Sequence, residues 1–461
     1  MRLVALSQLA AWCGGRLCGE DRVVTAIGTD TRTLEPGSLY VALRGEHFDG
    51  HDFCAQAKAA GAQAVLVERG FDCHTAQIVC TDTRQALGLI ARGMAASRTT
   101  CTLGITGSNG KTTTRTLTLS ILRQLEGEAY SNPGNRNNEI GLPLALIEQP
   151  EQARFGIYEM GAGAPGDIAY LADIVRPKIG LVTNIAPAHL ERMGSLLGVA
   201  QTKGALYEAL PDDGTAVINA DDAFAPLFAE RAGTRRILRY GLETSAEVGA
   251  ENVREDDNGN HFRLLSPWGQ VEVTVPLPGR HQVRNALAAA SLALAAGATL
   301  DAVRRGLAQA EGVPSRQQRL SLADGSLVLD DSYNANPGSV AVAIEAVMAL
   351  AKRRGLPAWL VLGDMRELGP GGAVLHADMG RLAREAGLER VLTLGELSRH
   401  AAVAFGANGE HFASHDAVIE RLRAPGRGPV VVLVKGSRGS QMERVVAALC
   451  CSDAQGGDHA A

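Results

Sequence analysis

The stretch GITGSNGKTTT, from Gly104 to Thr114, constrains the fold of this chain more than any other segment. It follows an apolar strand candidate, TCTLGIT, and precedes a helical pattern, which is the order that a phosphate-binding loop requires. Glycines in such a loop let backbone N–H groups turn towards a phosphate at a helix N-terminus. The spacing departs from the general pattern of Gly, four residues and Gly-Lys, because Ile105 stands five positions before Gly110. We therefore expect a nucleotide site of a particular subfamily.

The loop predicts a specific contact for two of its polar residues. Lys111 would reach the outer phosphates of a nucleotide, and the Thr112 hydroxyl would hold Mg²⁺. A glycine turn before an ordinary helix is the plain alternative, and the clear strand and helix on either side of NGKTT disfavour it. The predicted nucleotide-binding set at this loop is Gly107, Ser108, Asn109, Gly110, Lys111, Thr112 and Thr113.

Apolar strand candidates alternate with helical segments along most of the chain, which predicts an α/β protein of three domains. We expect a small N-terminal α/β domain over residues 1–84 and a central parallel-sheet ATPase domain around the phosphate loop over 85–313. A C-terminal Rossmann-like domain would follow over 314–452. The small and polar residues 453–461 indicate a flexible tail.

Composition excludes several classes of protein. The net charge of −5 disfavours a general nucleic-acid binder, which should carry a basic surplus. The most apolar segment, NALAAASLALAAGATL, is shorter than the roughly 20 residues that span a bilayer. The start of the chain lacks the long apolar region of a signal peptide, and the eight cysteines show no metal-ligand spacing. We expect a cytoplasmic monomer with no membrane span and no nucleic-acid partner.

Polar residues follow several of the predicted strands. Glu159 ends FGIYE, where many NTPases carry a carboxylate, and His189 follows the strand IGLVTNI. A lone histidine is more often structural, but beside Glu159 at the ends of adjacent strands it indicates a metal or phosphate contact. Spacing alone would make Lys203 a solvated lysine on a helix. DDSYNANP, residues 330–337, is dense in hydrogen-bonding groups and also suits a helix cap with proline in the first turn.

Taken together, the ordered motifs resemble those of the Mur ligases, the ATP-dependent amide-bond synthetases of peptidoglycan precursor assembly. The resemblance runs from about residue 25 to 445. The N-terminal stretch TDTRTLEPGSLYVALRGEHFDGHDF and the central NPGNRNNEIGLPL are most similar to members that add D-alanyl-D-alanine to UDP-N-acetylmuramoyl-tripeptide. The shared motifs are GITGSNGKTT, YEMGA, NIAPAHLE, GRHQVRNALAA, DDSYNANP, LGDMRELG and VKGSRG.

The resemblance implies a reaction with ATP and Mg²⁺ as cofactors. ATP would phosphorylate the terminal carboxylate of the tripeptide, and the amine of D-alanyl-D-alanine would then displace phosphate from the acyl phosphate. A carboxylate is a poor electrophile and a mixed anhydride is a good one. Catalysis of this kind depends mainly on positioning and on cancelling charge at the moving phosphoryl group.

The resemblance also implies catalytic roles for Lys111, Glu159, His189 and Lys203. Thr112 and Glu159 would bind one Mg²⁺, and His189 would help to hold a second. Lys203 matches a lysine that is carbamylated by CO₂ in related ligases, which would convert a cation into an anion able to support Mg²⁺.

Further residues match binding positions of the family, in three groups. One group would contact the nucleotide, a second would line the nucleotide and dipeptide side of the cleft, and a third, with the GEHFDGH loop, would face the uridine-diphosphate sugar. The groups are Asn285, Arg316 and Asp331 (the ribose contact); Tyr333, Asn334 and Asn336; and Asp30, Thr31 and Arg32. Asn135 and Asn138 are further predicted substrate-binding residues.

Two residues depart from the family pattern. Ala205 follows Gly204 where a glutamate is usual, and Gln282 stands where an asparagine is commoner.

Two other functions stay open. Folylpolyglutamate synthetase shares the loop and the amide-forming logic but lacks the N-terminal DTR…GEHFDGH module. A P-loop nucleotide switch would leave the third domain without a purpose. Whether the third residue of the tripeptide is diaminopimelate or lysine stays open.

Overall fold

The structure, a computed structural model, describes residues 3–70 and 75–455, with side chains described as far as Cys450. Three α/β units follow one another along the chain, as the sequence predicts. The order of apolar strands and amphipathic helices decides this architecture, because helices that connect parallel strands must cover both faces of the sheet.

The N-terminal unit is a five-stranded sheet of order β2-β7-β6-β5-β4 beside a short antiparallel pair, β1-β3. Asp82 caps its last helix by accepting hydrogen bonds from the N–H groups of Arg84 and Gln85. Its elements are β1 Val4–Ala5, α1 Leu6–Cys13, β2 Arg16–Cys18, β3 Val23–Val24, β4 Ile27–Gly28, β5 Leu39–Val41, α2 Cys54–Ala59, β6 Ala64–Val67, β7 Ala76–Val79 and α3 Thr83–Ala96.

The central unit is a six-stranded, fully parallel sheet of order β13-β12-β11-β8-β10-β9. Its elements are β8 Cys101–Thr106, α4 Lys111–Leu122, β9 Glu128–Ser131, α5 Gly141–Glu148, β10 Ala153–Glu159, α6 Asp167–Val175, β11 Ile179–Val182, α7 Leu190–Met193, α8 Leu196–Glu208, β12 Thr215–Asn219, α9 Ala225–Ala232 and β13 Arg236–Tyr240. The phosphate loop follows β8, an inner strand of this sheet.

A small antiparallel sheet completes the central region, and the sequence analysis did not predict it. It consists of β14 Gly249–Asp256, β15 Gly259–Ser266 and β16 Gly269–Val275, followed by the helices α10 Arg280–Ala295 and α11 Leu300–Ala308. Most of the apolar segment NALAAASLALAAGATL lies in α10, which is largely buried in the central core.

The C-terminal unit is a six-stranded sheet of order β17-β18-β22-β19-β20-β21, in which only the edge strand β17 is antiparallel. Its elements are β17 Gln318–Ser321, β18 Leu327–Asp331, α12 Pro337–Arg354, β19 Ala358–Gly363, α13 Gly372–Glu385, β20 Arg390–Leu394, α14 Arg399–Phe405, β21 Gly409–Phe412, α15 His415–Leu422, β22 Val431–Lys435 and α16 Glu443–Gln455. Helix α16 includes residues 453–455 of the predicted tail, and residues 456–461 lie outside the described residues.

One hydrophobic core joins the N-terminal and central units. Leu9 of α1 and Ile90 of α3 belong to the same buried cluster as Leu171 of α6. Within the described residues, no helix is both long and apolar enough to cross a bilayer.

Candidate active site

The phosphate loop lies between β8 and α4 and needs glycine at two positions for steric reasons. Gly107 and Gly110 have φ angles of +139° and +79°. A Cβ atom on Gly110 would stand 2.5 Å from Oδ1 of Asn285, and one on Gly107 would stand 1.9 Å from Oγ1 of Thr183. The Cβ on Gly107 would also lie 2.9 Å from the backbone N of Thr183, so moving a side chain would not relieve that contact. Both positive φ angles favour glycine, which lets the backbone approach its neighbours closely.

The helix that follows the loop presents its N-terminus to the cleft. Helix α4 begins at Lys111 with Gly110 as N-cap, and no described side chain caps it. The first N–H groups of a helix have no partner within the helix and carry the positive end of its dipole. The loop and α4 therefore offer the donors that a phosphate needs.

The end of the neighbouring strand β11 holds the loop in place. The backbone N–H of Asn109 donates to Oδ1 of Asn184 over 3.0 Å, and Thr183 Oγ1 donates to the carbonyl of Asn109 over 2.6 Å. The N–H of Ser108 donates to the carbonyl of Asn184 over 2.9 Å. Neither Thr183 nor Asn184 was predicted from the sequence, although Asn184 begins the motif NIAPAHLE and Thr183 directly precedes it.

The Lys111 ammonium group folds back over the loop. Its Nζ donates to the carbonyls of Gly107 over 2.8 Å and Ser108 over 3.1 Å. Burial lowers the pKa of Lys111 from its ordinary value, while the carboxylate of Glu159 opposes this shift. A positive charge on this nitrogen would lie beside any phosphate bound at the loop.

Glu159 at the end of β10 is buried, with 2% of its surface exposed. Thr112 Oγ1 donates to its Oε2 over 2.9 Å, and Asn137 Nδ2 donates to its Oε1 over 2.9 Å. The Arg115 guanidinium lies 3.6 Å from Oε2. The structure thus brings the two predicted magnesium ligands, Thr112 and Glu159, together. The sequence analysis missed Asn137 and Arg115.

These oxygen atoms fit Mg²⁺ chemically. Magnesium prefers hard oxygen ligands and keeps several waters, so it is commonly held by one or two protein groups plus substrate phosphates. Across residues 3–70 and 75–455, no group of three histidine, cysteine, aspartate or glutamate side chains forms a metal site. A magnesium ion beside Thr112 and Glu159 would therefore take its remaining ligands from phosphate and water.

Lys203, on α8, is one of the largest fully buried side chains of the described chain, with 1% of its surface exposed. Burial first, and then the nearby charge of Lys111, lowers its pKa well below the ordinary value. The neutral amine is therefore favoured over the ammonium form, and the burial of the side chain corrects the spacing-based expectation of a solvated lysine. Carbamylation requires a neutral amine, so this environment fits the modification that the family resemblance implies.

His189 lies directly before α7 with a left-handed backbone, φ +55°, and its Nδ1 contacts Oε2 of Glu367 from the C-terminal unit. Burial lowers the pKa of His189, Lys203 and Lys111 lower it further, and Glu367 opposes them. Burial and the charges of both lysines therefore favour the neutral imidazole.

The C-terminal unit contributes a buried ion pair to the cleft. Lys435 Nζ, at the end of β22, donates to Asp331 Oδ2 over 2.6 Å and to the carbonyl of Asn334 over 2.9 Å. Burial raises the pKa of Asp331 and the Lys435 charge opposes this. Lys435 lies within VKGSRG, but the sequence analysis gave it no role.

Two contacts connect the DDSYNANP segment to other predicted residues. The Arg316 guanidinium stacks 4.0 Å above the centre of the Tyr333 ring. Asn336 caps α12, and its Nδ2 also donates to Oδ1 of Asn109 in the phosphate loop over 2.8 Å. The capping interpretation of this segment is therefore confirmed for Asn336, and its functional role stays a prediction.

Helix α10 supports the far side of the loop. Asn285 Nδ2 donates to Oε1 of Gln282 over 2.9 Å, so the unusual glutamine orients the predicted nucleotide contact. His281 lines the cleft, and its buried Nε2 has no hydrogen-bond partner among the residues that the structure describes. Burial lowers the pKa of His281 to about 4, so the ring is neutral. His281 is the histidine of the motif GRHQVRNALAA, and no role was predicted for it from the sequence.

Most of these groups border one cleft of about 880 Å³ between the central and C-terminal units. Predicted residues that line it are Ser108, Asn109, Gly110, Lys111, Thr112, Thr113, Asn138, Glu159, His189, Asn285, Arg316, Asp331, Tyr333, Asn334 and Asn336. Gly107, Lys203 and Asn135 are not part of its lining.

The predicted uridine-side residues lie apart from this cleft, on a loop after β4. Arg32 pairs with Asp30 at 2.6 Å, and the hydrogen bond from Arg32 lowers the pKa of that carboxyl to about 2. Thr31 lies between them. The Arg32 side chain is 83% exposed and therefore accessible to a ligand.

Comparisons with known proteins extend over all three units. Family models match in chain order: the Mur ligase family catalytic domain over residues 23–94, the Mur ligase middle domain over 105–293, and the Mur ligase, glutamate ligase domain over 315–438. UDP-N-acetylmuramoyl-tripeptide--D-alanyl-D-alanine ligase from Escherichia coli (strain K12) is 42% identical over 449 residues, which are 97% of this chain and 98% of that protein.

Two solved structures show the same arrangement. MurF from Acinetobacter baumannii superposes with a TM-score of 0.91 at 31% identity, over 97% of this chain and 99% of that chain. MurF ligase from Thermotoga maritima in complex with ADP superposes with a TM-score of 0.82 at 25% identity, over 94% of this chain and 99% of that chain.

Proposed function

The chain belongs to the Mur ligase family, and we propose that it joins D-alanyl-D-alanine to UDP-N-acetylmuramoyl-tripeptide with hydrolysis of ATP to ADP and phosphate. The observation that carries this proposal is the 42% identity to a ligase of that name over 97% of the chain. The cleft supports it, because a phosphate loop on one wall faces hydrogen-bonding side chains of the C-terminal unit on the other.

The reaction proceeds in two balanced steps. A carboxylate oxygen of the tripeptide forms a bond to the γ-phosphorus while the bond to the ADP oxygen breaks. The amine of D-alanyl-D-alanine then attacks the acyl carbon, its proton is released, and the C–O bond to phosphate breaks. Both steps move negative charge across the phosphoryl group, which fixed positive groups stabilise.

The residues of the loop perform the phosphate part of this chemistry. The N–H groups at the start of α4 bind the phosphates, and Lys111 places its ammonium beside the transferring group. Thr112 and Glu159 would hold Mg²⁺, with His189 and a carbamylated Lys203 at a second ion. Magnesium, when bound, neutralises charge on the phosphoryl oxygens.

The walls of the cleft orient the reactants. Asn285, Arg316 and Asp331 take the nucleotide, with the Asp331 carboxylate held by Lys435. Tyr333, Asn334 and Asn336 line the side at which the dipeptide enters. The exposed loop of Asp30, Thr31 and Arg32, together with Asn135 and Asn138, receives the UDP-sugar-peptide. Each of these roles rests on family correspondence and on position in the fold.

The proposal assigns one task to each domain. Residues 1–84 bind the UDP-sugar, 85–313 bind ATP, and 314–452 complete the cleft over the acceptor. We propose that the enzyme acts as a monomer in the cytoplasm, where UDP-linked precursors and ATP are available.

The first experiment measures phosphate release from ATP and Mg²⁺ with UDP-N-acetylmuramoyl-tripeptide, with and without D-alanyl-D-alanine. We expect sustained release only with both substrates, together with an amide product by mass spectrometry. Parallel assays with diaminopimelate- and lysine-containing tripeptides identify the third residue. Release without the dipeptide would favour a nucleotide switch, and activity with a folate and glutamate in its place would favour a folylpolyglutamate-type ligase.

A further inference from the structure

His189 contacts a carboxylate from a different domain. Its Nδ1 lies in hydrogen-bond contact with Oε2 of Glu367, which stands 178 residues further along the chain in the loop between β19 and α13. The His189 side chain is 32% exposed and lines the cleft, whereas Glu367 approaches from outside the cleft.

Both residues of this contact have an unusual backbone conformation. His189 and Glu367 both have left-handed backbones, with φ angles of +55° and +61°, a conformation that non-glycine residues rarely adopt. The N–H of Glu191 donates to the carbonyl of Glu367 over 3.3 Å. A Cβ on Gly369 would lie 3.4 Å from Cα of Glu191, so the two segments are in van der Waals contact. Strained residues at an interface indicate a defined arrangement rather than a chance encounter of two side chains.

A carboxylate at Nδ1 determines what the other ring nitrogen can do. It accepts the Nδ1–H, so it favours the tautomer that leaves Nε2 as a lone-pair acceptor. Histidines that act on a metal are commonly oriented in this way by a carboxylate. We propose that Glu367 is a positioning residue that holds His189 in the Nδ1–H tautomer with Nε2 presented to the cleft.

Glu367 belongs to the C-terminal unit, whereas His189 belongs to the central unit. Because the carboxylate comes from the C-terminal unit, His189 is oriented only when that unit is docked on the central one. Glu367 thus makes assembly of the catalytic site depend on the arrangement of the domains. This role deepens the ligase function proposed above and rests on it.

The direct test is nuclear magnetic resonance of the full-length, metal-free protein labelled with ¹⁵N-histidine. The His189 signals are assigned from their loss in His189→Ala. We expect the wild-type ring to show a protonated Nδ1 and an unprotonated Nε2. Glu367→Ala should shift the ring towards the Nε2–H tautomer, whereas Glu367→Gln should largely retain the wild-type pattern because its amide oxygen still accepts. A wild-type ring already protonated at Nε2, or a pattern unchanged in Glu367→Ala, would overturn the proposal.

Kinetics separate positioning from a structural effect. We expect Glu367→Ala to lower kcat roughly 10- to 100-fold, the usual loss when an orienting partner is removed, with little change in the KM for D-alanyl-D-alanine. Glu367→Gln should recover part of the rate. In a His189→Ala background, Glu367→Ala should cost nothing more, because a residue that acts through His189 has nothing left to orient. Equal losses in both backgrounds would refute a role through His189.

The matched control is Glu385→Gln, which alters an exposed glutamate at the end of α13 in the same domain. It should leave kcat and the His189 signals unchanged. If the wild-type protein lacks ligase activity, the proposed function fails, but the tautomer experiment still decides the role of Glu367. If the wild type is active and Glu367→Ala is equally active, only this inference fails.

Discussion

The side chain of Lys203 places an amine in the interior of the central unit. Its pKa is well below the ordinary value because burial and the charge of Lys111 disfavour the ammonium form. Between the folded and the unfolded pKa of Lys203, the unfolded chain binds a proton at this amine that the folded chain does not bind. Stability therefore rises with pH from the lowered pKa of Lys203 towards its unfolded value near 10.5, and above that value the cost disappears.

Replacing Lys203 by methionine should therefore stabilise the protein while abolishing ligase activity. Methionine has a similar length and no charge to desolvate, so we expect a gain at pH 7 of at least about 1 kcal/mol, the equivalent of about one pKa unit. The gain should shrink as the pH approaches 10. Urea unfolding in CO₂-free buffer at pH 7 and near pH 10 measures this gain in stability. Lys58→Met, on the surface of α2, is the control. A loss of stability at pH 7 would contradict the prediction.

At the scale of elements, helix α12 serves both the fold and the site. Asn336 forms a capping box with Ser339, and its side chain also reaches Asn109 of the phosphate loop over 2.8 Å. One residue of the DDSYNANP segment therefore caps a helix and joins two domains.

Replacing Asn336 by serine should separate its role as a helix cap from its contact with Asn109. Asn336→Ser keeps a good cap, so unfolding should change little, whereas Asn336→Ala should cost about 1 kcal/mol. Both variants lose the contact with Asn109, and we expect the KM for ATP to rise several-fold in both. Urea unfolding and steady-state kinetics provide the two readouts. An unchanged KM in Asn336→Ser would mean that the residue is only a cap.

Most elements near the site could be predicted from sequence, and those distant from it less so. Strands such as β8, β10 and β11 are short continuous apolar runs, typical of strands buried on both faces. The sheet β14–β16 was missed because two of its strands, β14 and β16, mix exposed charged residues with few buried positions. Their strand conformation depends on pairing with each other, which local composition does not express.

At the scale of the whole molecule, ion pairs join the antiparallel sheet of the central region to the C-terminal unit. Glu255 lies 2.8 Å from Arg353 of α12 and 3.5 Å from Arg319 of β17. Asp257 lies 3.3 Å from Arg354. These partly exposed pairs contribute about 0–1 kcal/mol each and are screened by salt.

Removing both carboxylates should weaken the docking of the C-terminal unit. For Glu255→Gln with Asp257→Asn, we expect a two- to fivefold higher KM for ATP at low salt, because the cleft needs both units. The difference should vanish at high salt, where the pairs are screened. Small-angle scattering should show a larger radius of gyration at low salt. The control is Glu272→Gln, whose partner Arg263 lies in the same small sheet. An effect independent of salt would contradict an ionic origin.

The sequence by itself determined the phosphate loop, the order of strands and helices and the family of the chain. These properties are encoded in short motifs and local periodicity. Only the tertiary structure decided which distant side chains meet: Asn109 with Asn336 across 227 residues, His189 with Glu367 across 178, and Asp331 with Lys435 across 104. It also decided that Lys203 is buried rather than solvated. Such contacts depend on strand order and on the packing of one domain against another, and no local pattern of residues specifies either.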